Sequence, residues 1–250
     1  MRRRKPSNNN DFELGWRQRF SQYARVRDDD AGIAGWTQTG LETRVRNFGG
    51  IWEPSKSGIH WLDAGCGAGT YSRYMVSMGK QVVGLDYCFP AVKKAATRSS
   101  AGSYWAVADV KRLPVATGSF DGAICFGVTQ ALSTSRDVSR ELANAVRPGG
   151  EVWIDALNLT CLPHLLGHVK RFILRRNMHL RYEWPWRLRG AMADAGIENM
   201  ETFWIPILPY RVHRYQWVFE TRIARWVLQK IPLLGALVSH GFIVKGYRGQ

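Results

Sequence analysis

The chain has 250 residues, 45% of them hydrophobic, and a formal net charge of +15. That length and apolar content suffice to bury one large core and do not require several domains. No apolar run approaches the roughly 20 residues of a membrane-spanning helix, the longest candidate being Ile231 to Val238. The charge favours polyanionic partners (nucleic acid, an anionic bilayer face or a phosphorylated substrate) without choosing among them.

The basic start, Arg2, Arg3, Arg4 and Lys5, is followed by polar SNNNDFE where a signal peptide would carry an apolar segment. Secretion is not expected, and Cys66, Cys88, Cys125 and Cys161, which form no CxxC pair, read as reduced thiols of a cytoplasmic protein. Residues 1–55 are polar and charged with aromatic residues dispersed among them, Trp16, Phe20, Tyr23 and Trp36, and read as a helical N-terminal arm.

Over residues 56–158 short apolar runs alternate with helical segments, the pattern of strand-helix units and a parallel sheet. Strands are expected at His60 to Asp63, Gln81 to Asp86, Ser103 to Ala108, Phe120 to Phe126 and Glu151 to Asp155. Helices are expected at Thr70 to Met78, Pro90 to Ala96 and Arg136 to Val146, the last ending before Arg147-Pro148-Gly149-Gly150. The fold class is therefore α/β, a doubly wound, mostly parallel sheet.

Residues 159–186 form a basic, aromatic insertion or cap, and residues 187–250 the closing helices and last two strands. In that last part the pattern predicts a helix at Trp186 to Ala195, a strand at Met200 to Ile205, a single helix at His213 to Lys230 and a strand at His240 to Tyr247.

The first strand runs into a glycine-rich turn, WLDAGCGAG, at Trp61 to Gly69. Gly65, Gly67 and Gly69 allow backbone amides to approach a ligand and tolerate positive φ. The third glycine comes one position too early for the dinucleotide fingerprint GxGxxG, and Thr70 stands where that fingerprint wants Gly or Ala. Asp63, just before the loop, would repel a pyrophosphate and attract an ammonium. Asp86 ends the second strand about 20 residues on, the spacing at which a carboxylate accepts hydrogen bonds from ribose hydroxyls.

DAGCGAG, VVGLD, ADVKRLP, FDGAICFG and RPGGE, taken together, resemble the class I S-adenosylmethionine-dependent methyltransferases, specifically the group acting on small molecules and lipids. The resemblance implies S-adenosylmethionine as cofactor and a seven-stranded sheet whose last strand is antiparallel. It assigns Asp63 and the loop glycines Gly65, Gly67 and Gly69 to the methionine end, Asp86 to the ribose and Asp109 to the adenine, with Cys66, Tyr87 and Val110 also among the cofactor-binding residues. Phe126 and Gly127, after the fourth strand, would also meet the methionine end.

The acceptor is less legible. A hydroxyl or carboxylate acceptor is helped by a side chain that orients or deprotonates it, and the candidates are Asp155, His164, His168 and Tyr23. Cys161, His164 and His168 raise a metal site, but the surrounding LPHLLGHVKRFIL reads as an amphipathic helix and no metal is expected. That helix, with Lys170, Arg171, Arg175 and Arg176, and the segment Trp217 to Lys230 followed by IPLLGALV suit the surface of an anionic membrane. The expected activity is O- or N-methylation of a small-molecule or lipid-like acceptor, with an anionic membrane face as a candidate partner. RNA modification is a rival, although the [DN]PP[YF] segment of base-amine methyltransferases is missing, the chain having Cys125-Phe126-Gly127-Val128 there. A non-catalytic S-adenosylmethionine-binding protein is the third reading.

Overall fold

The structure, a computed structural model, describes residues 9–173, 180–208 and 210–250. Seven strands, β1 (His60–Ala64), β2 (Gln81–Asp86), β3 (Ser103–Val107), β4 (Phe120–Cys125), β5 (Val146–Leu157), β6 (Ile197–Ile205) and β7 (Gly241–Arg248), form one sheet in the order β3-β2-β1-β4-β5-β7-β6. The first five are parallel, and β7 lies antiparallel between β5 and β6. This is the doubly wound, mostly parallel sheet that the sequence implies. Strands covered on both faces read as near-continuous apolar runs, and Trp61, Leu62, Ala64, Ala123, Ile124 and Cys125 of β1 and β4 are buried accordingly. The winding reverses between β1 and β4, and a crevice opens at such a point beyond the carboxyl ends of the strands.

Eleven helices lie among the described residues. The arm comprises α1 (Asn9–Val26), α2 (Asp30–Ala34) and α3 (Gln38–Gly49). Two helices start on side-chain caps that satisfy otherwise orphaned amides: Asp29 accepts from the Gly32 amide at 2.6 Å, and Thr37 from the Gly40 amide at 3.1 Å. Phe48 of α3 is fully buried against the rings of Trp52, Tyr71, Tyr74, Phe126 and Trp153. Through Phe48 the arm packs into one of the hydrophobic clusters of the sheet.

The sheet helices are α4 (Thr70–Ser77), α5 (Phe89–Thr97), α6 (Arg136–Ala145) and α8 (Pro185–Asp194), with α7 (Leu162–Ile173) preceding α8. Between β6 and β7 come a 3-10 turn (Tyr210–Tyr215), α9 (Gln216–Phe219), α10 (Arg222–Lys230) and α11 (Pro232–Val238). The single helix expected over His213 to Lys230 is therefore broken. The reason is Thr221, which adopts an extended backbone and accepts from the Ala224 amide at 3.1 Å, starting α10 afresh. A second difference is that β5 begins at Val146 rather than Glu151, because Val146 pairs with Phe120 across a register shift before the chain reaches Glu151. No helix of the described residues is long and apolar enough to cross a membrane.

Candidate active site

The crevice is built first from the glycine loop. Gly65, Gly67 and Gly69 have φ of 83°, 54° and 82°, a region that costs an L side chain strain. At Gly65 space is also decisive, because a Cβ would stand 2.2 Å from the Val128 side chain. The Gly65 and Cys66 amides donate to the Leu85 carbonyl at 2.7 and 3.1 Å, which joins the loop to β2. Asp86 then fixes the turn from both sides, one oxygen accepting from the Gly67 amide at 2.9 Å and the other from the Cys88 amide at 2.8 Å. Burial raises the Asp86 pKa, and those two amides oppose the rise.

Above the loop lies a cavity that opens to solvent, concave as ligand clefts are. Gly65, Cys66, Gly67, Asp86, Tyr87, Asp109, Val110, Phe126, Gly127 and Asp155, ten of the positions singled out in the sequence, line it together. Asp63 and Gly69 do not. Asp63 is buried beneath the loop, where it accepts from the Ser72 hydroxyl at 2.6 Å. Gly69 caps α4 in the left-handed region, and a Cβ there would strike Trp105 at 2.4 Å.

Burial pushes the Asp63 carboxyl up to about 7, against the pull of Ser72, with the Asp86 charge adding to the rise. A carboxyl whose pKa rises on folding stabilises the fold while protonated; that contribution is full below the ordinary carboxylate range and is lost as pH climbs through the folded value. Asp63→Asn is therefore expected to gain stability relative to the parent between pH 4 and pH 8, approaching about 4 kcal/mol at one pKa unit per 1.36 kcal/mol. Urea denaturation at a series of pH values checks this. Parallel stability curves for the two proteins would show that Asp63 does not titrate in that window.

The opposite wall comes from the arm, of which the sequence put only Tyr23 forward for the site. Glu13, Trp16, Arg17, Phe20, Trp36, Leu41 and Arg44 all face the cavity. Glu13 accepts from Lys111 and from the Ser133 amide, and Arg17 pairs with Asp109 while lying over the Tyr87 ring. Burial works to raise the Asp109 pKa, but the Lys111 amide and Arg17 outweigh it and hold the carboxyl below its ordinary value.

Arg44 is the most informative of these residues. One terminal nitrogen donates to Asp155 at 3.1 Å, and the guanidinium lies 4.0 Å from the Trp36 ring centroid. Its Nε and other terminal nitrogen are buried with no hydrogen-bond partner, and such donors cost free energy unless something accepts from them. Asp155 accepts from the Gly127 amide at 2.7 Å through its other oxygen; burial raises its pKa, and Arg44 and that amide oppose the rise.

Of the catalytic candidates whose side chains are described, Tyr23, Asp155 and His164, only Asp155 lines the cavity. Tyr23 packs edge-on against Phe20 beneath the Arg27 guanidinium. His164 bonds through Nδ1 to the Asn158 carbonyl at 2.8 Å and packs against Tyr182 and His240. Burial lowers the pKa of His164 and takes that of His240 down to about 3, with the Arg44 charge acting in the same direction on both. The side chain of His168 lies outside the described residues.

Comparison with known proteins decides the family. Residues 62–154 match the model of the methyltransferase domain. The chain is 32% identical over 172 residues to the ubiquinone biosynthesis O-methyltransferase of Xanthomonas oryzae pv. oryzae, covering 55% of this chain and 72% of that protein. This chain is a class I S-adenosylmethionine-dependent methyltransferase by family.

As in the rest of that family, the cofactor is S-adenosylmethionine. A second relative, the malonyl-[acyl-carrier protein] O-methyltransferase of Pseudescherichia vulneris, is 38% identical over 104 residues, 42% of this chain and 41% of that one. The chain thus spans about two-fifths of the length of the malonyl relatives it matches. Among solved structures, the magnesium protoporphyrin IX methyltransferase of Synechocystis PCC 6803 with bound SAH shares the methyltransferase fold, with a TM-score of 0.62 at 16% identity over 96% of this chain and all of that one.

Proposed function

We propose that the protein transfers the methyl group of S-adenosylmethionine to an oxygen or nitrogen of a small-molecule or lipid-like acceptor. The observation that carries this reading is the set of unsatisfied and charged groups around one cavity, each of which suits a different part of the cofactor. The two partnerless nitrogens of Arg44 suit the amino-acid carboxylate as a two-pronged donor. Asp86, held by two amides at the end of β2, suits the ribose hydroxyls, and Asp109 with Val110 the adenine. Tyr71 and Phe126, whose rings meet at 4.9 Å beside the loop, offer faces that attract a cation.

Bound there, S-adenosylmethionine supplies a methyl group on a sulfonium, which a nucleophile can displace in line. The chain's contribution is alignment and exclusion of water, which can supply much of such a rate enhancement. The arm gives the cavity its mostly apolar roof through Trp16, Phe20 and Trp36. Asp155, the one cavity carboxylate at the end of β5, is the group to orient an acceptor hydroxyl. An oxygen acceptor is favoured because both named relatives are O-methyltransferases.

The test uses S-adenosylmethionine labelled in its methyl group, incubated with the protein and separate aqueous and organic cell extracts. Label is expected in a nuclease-resistant small molecule or lipid. Label confined to RNA would replace this reading with nucleic-acid modification, and cofactor binding by calorimetry without label transfer to any extract would reduce the protein to a binding module.

A further inference from the structure

β6 and β7 are antiparallel neighbours, and such a pair can be joined by about two residues. Here residues 206–240 intervene. The insertion is fixed firmly to the core on its inner side. A Cβ on Gly235 of α11 would stand 2.3 Å from Trp204 of β6, Leu228 of α10 is buried, and Glu220 pairs with Arg46 of α3.

Its outer side is apolar. Half of the exposed large hydrophobic side chains of the described residues fall between Val212 and Val238, and the most exposed are Ile223 at 76%, Leu233 at 72%, Trp217 at 66% and Trp226 at 62%. Thr160 and Asn158 bond the Ala236 carbonyl, which sets the start of α7, with exposed Leu162 and Leu166, beside α11. Large exposed apolar patches mark interaction surfaces.

Charge selects the occupant. Residues 206–240 contain five Lys or Arg and a single acidic residue, Glu220, already paired with Arg46. Arg214, Arg222 and Lys230 are exposed among the apolar residues. A second copy of a +15 chain would bring like charges together, and Ile223, Leu233 and Leu237 are aliphatic, unsuited to stacking bases. Exposed tryptophan and leucine beside lysine and arginine on consecutive short helices are the composition of interfacial membrane segments.

We infer that the outer face of α9–α11 docks this protein on an anionic lipid bilayer. Trp217, Ile223, Trp226 and Leu233 enter the headgroup boundary, and Arg214, Arg222 and Lys230 meet lipid phosphates. Docking stands whether or not methyl transfer occurs, and the two are tested by separate assays.

The experiment is co-sedimentation of the full chain with vesicles of phosphatidylcholine alone and of phosphatidylcholine mixed with phosphatidylglycerol. Binding is expected to the mixed vesicles and to weaken as salt rises. The triple variant Ile223→Glu, Trp226→Glu, Leu233→Glu and the double variant Arg222→Glu, Lys230→Glu should each lose at least about tenfold in partitioning, with calorimetric cofactor binding retained as the sign of an intact fold. In a milder arm, Trp226→Phe should reduce the quenching of protein fluorescence by brominated lipid. Absence of parent binding, equal binding by the variants, or self-association through this face in sedimentation velocity would each overturn the inference.

Discussion

Arg44→Met is expected to destabilise the protein by about 3–5 kcal/mol, the cost of leaving one member of a buried ion pair without the other. Arg44 and Asp155 are both almost fully buried, their side chains 3% and 4% exposed. With the guanidinium gone, the Gly127 amide remains as the charge-stabilising donor to Asp155. The carboxyl has an escape, because burial already raises its pKa and losing Arg44 raises it further. The sign follows: the variant's deficit is largest at high pH and shrinks as pH falls and Asp155 takes up a proton. Adding Asp155→Leu should recover most of the loss, since a buried pair replaced whole by apolar groups is often neutral. Urea denaturation of the three proteins at two pH values measures all of this. A single-variant cost below about 1 kcal/mol at high pH would mean that the pair is solvated rather than buried.

Asp86→Ala should weaken cofactor binding by roughly 1.5–3 kcal/mol, the range for hydrogen bonds to a charged group, or about ten- to 150-fold in affinity. The effect has two sources. One is the loss of an acceptor for the ribose hydroxyls. The other is the release of the Gly67 and Cys88 amides, which frees the loop to leave its binding conformation. Asp86→Asn separates them: its amide oxygen can still accept from one backbone amide, so the loop is partly held while the charge is gone. Calorimetry with S-adenosylhomocysteine is the measurement, and an Asp86→Ala affinity within twofold of the parent would remove Asp86 from the site.

The sheet, the loop and the carboxylates Asp86 and Asp155 are legible in the sequence because each is tied to local pattern, and Asp109 is legible through the family resemblance. A strand followed by glycines, or an acidic residue at a strand end, needs only its own neighbourhood to be recognised. Arg44 is not legible that way. It sits in QTGLETRVRNFG beside Glu42 and Arg46, and nothing local marks it, and not Arg46, as the arginine of this helix that turns inward; its role comes from the distant Asp155 and from Trp36 before the helix. Asp63 shows the converse, a residue whose type and place suggest a ligand contact but which Ser72, nine residues on, holds beneath the loop. The break at Thr221 had a local signal, a threonine just before a helix start, masked by the apolar and basic periodicity that continues across it.

The contacts that close the cavity have a kinetic consequence. Arg17 meets Asp109 across 92 residues of sequence, Arg44 meets Asp155 across 111, and Glu13 meets Ser133 across 120. Such long-range closures come slowly, since chain entropy is lost before they reward it. During synthesis α1 leaves the ribosome with none of those partners yet made, and its packing must wait for α5 as well. The roof is thus the last part of the pocket to form, and hydrogen exchange should find α1 opening more readily than β1 and β4 beneath it.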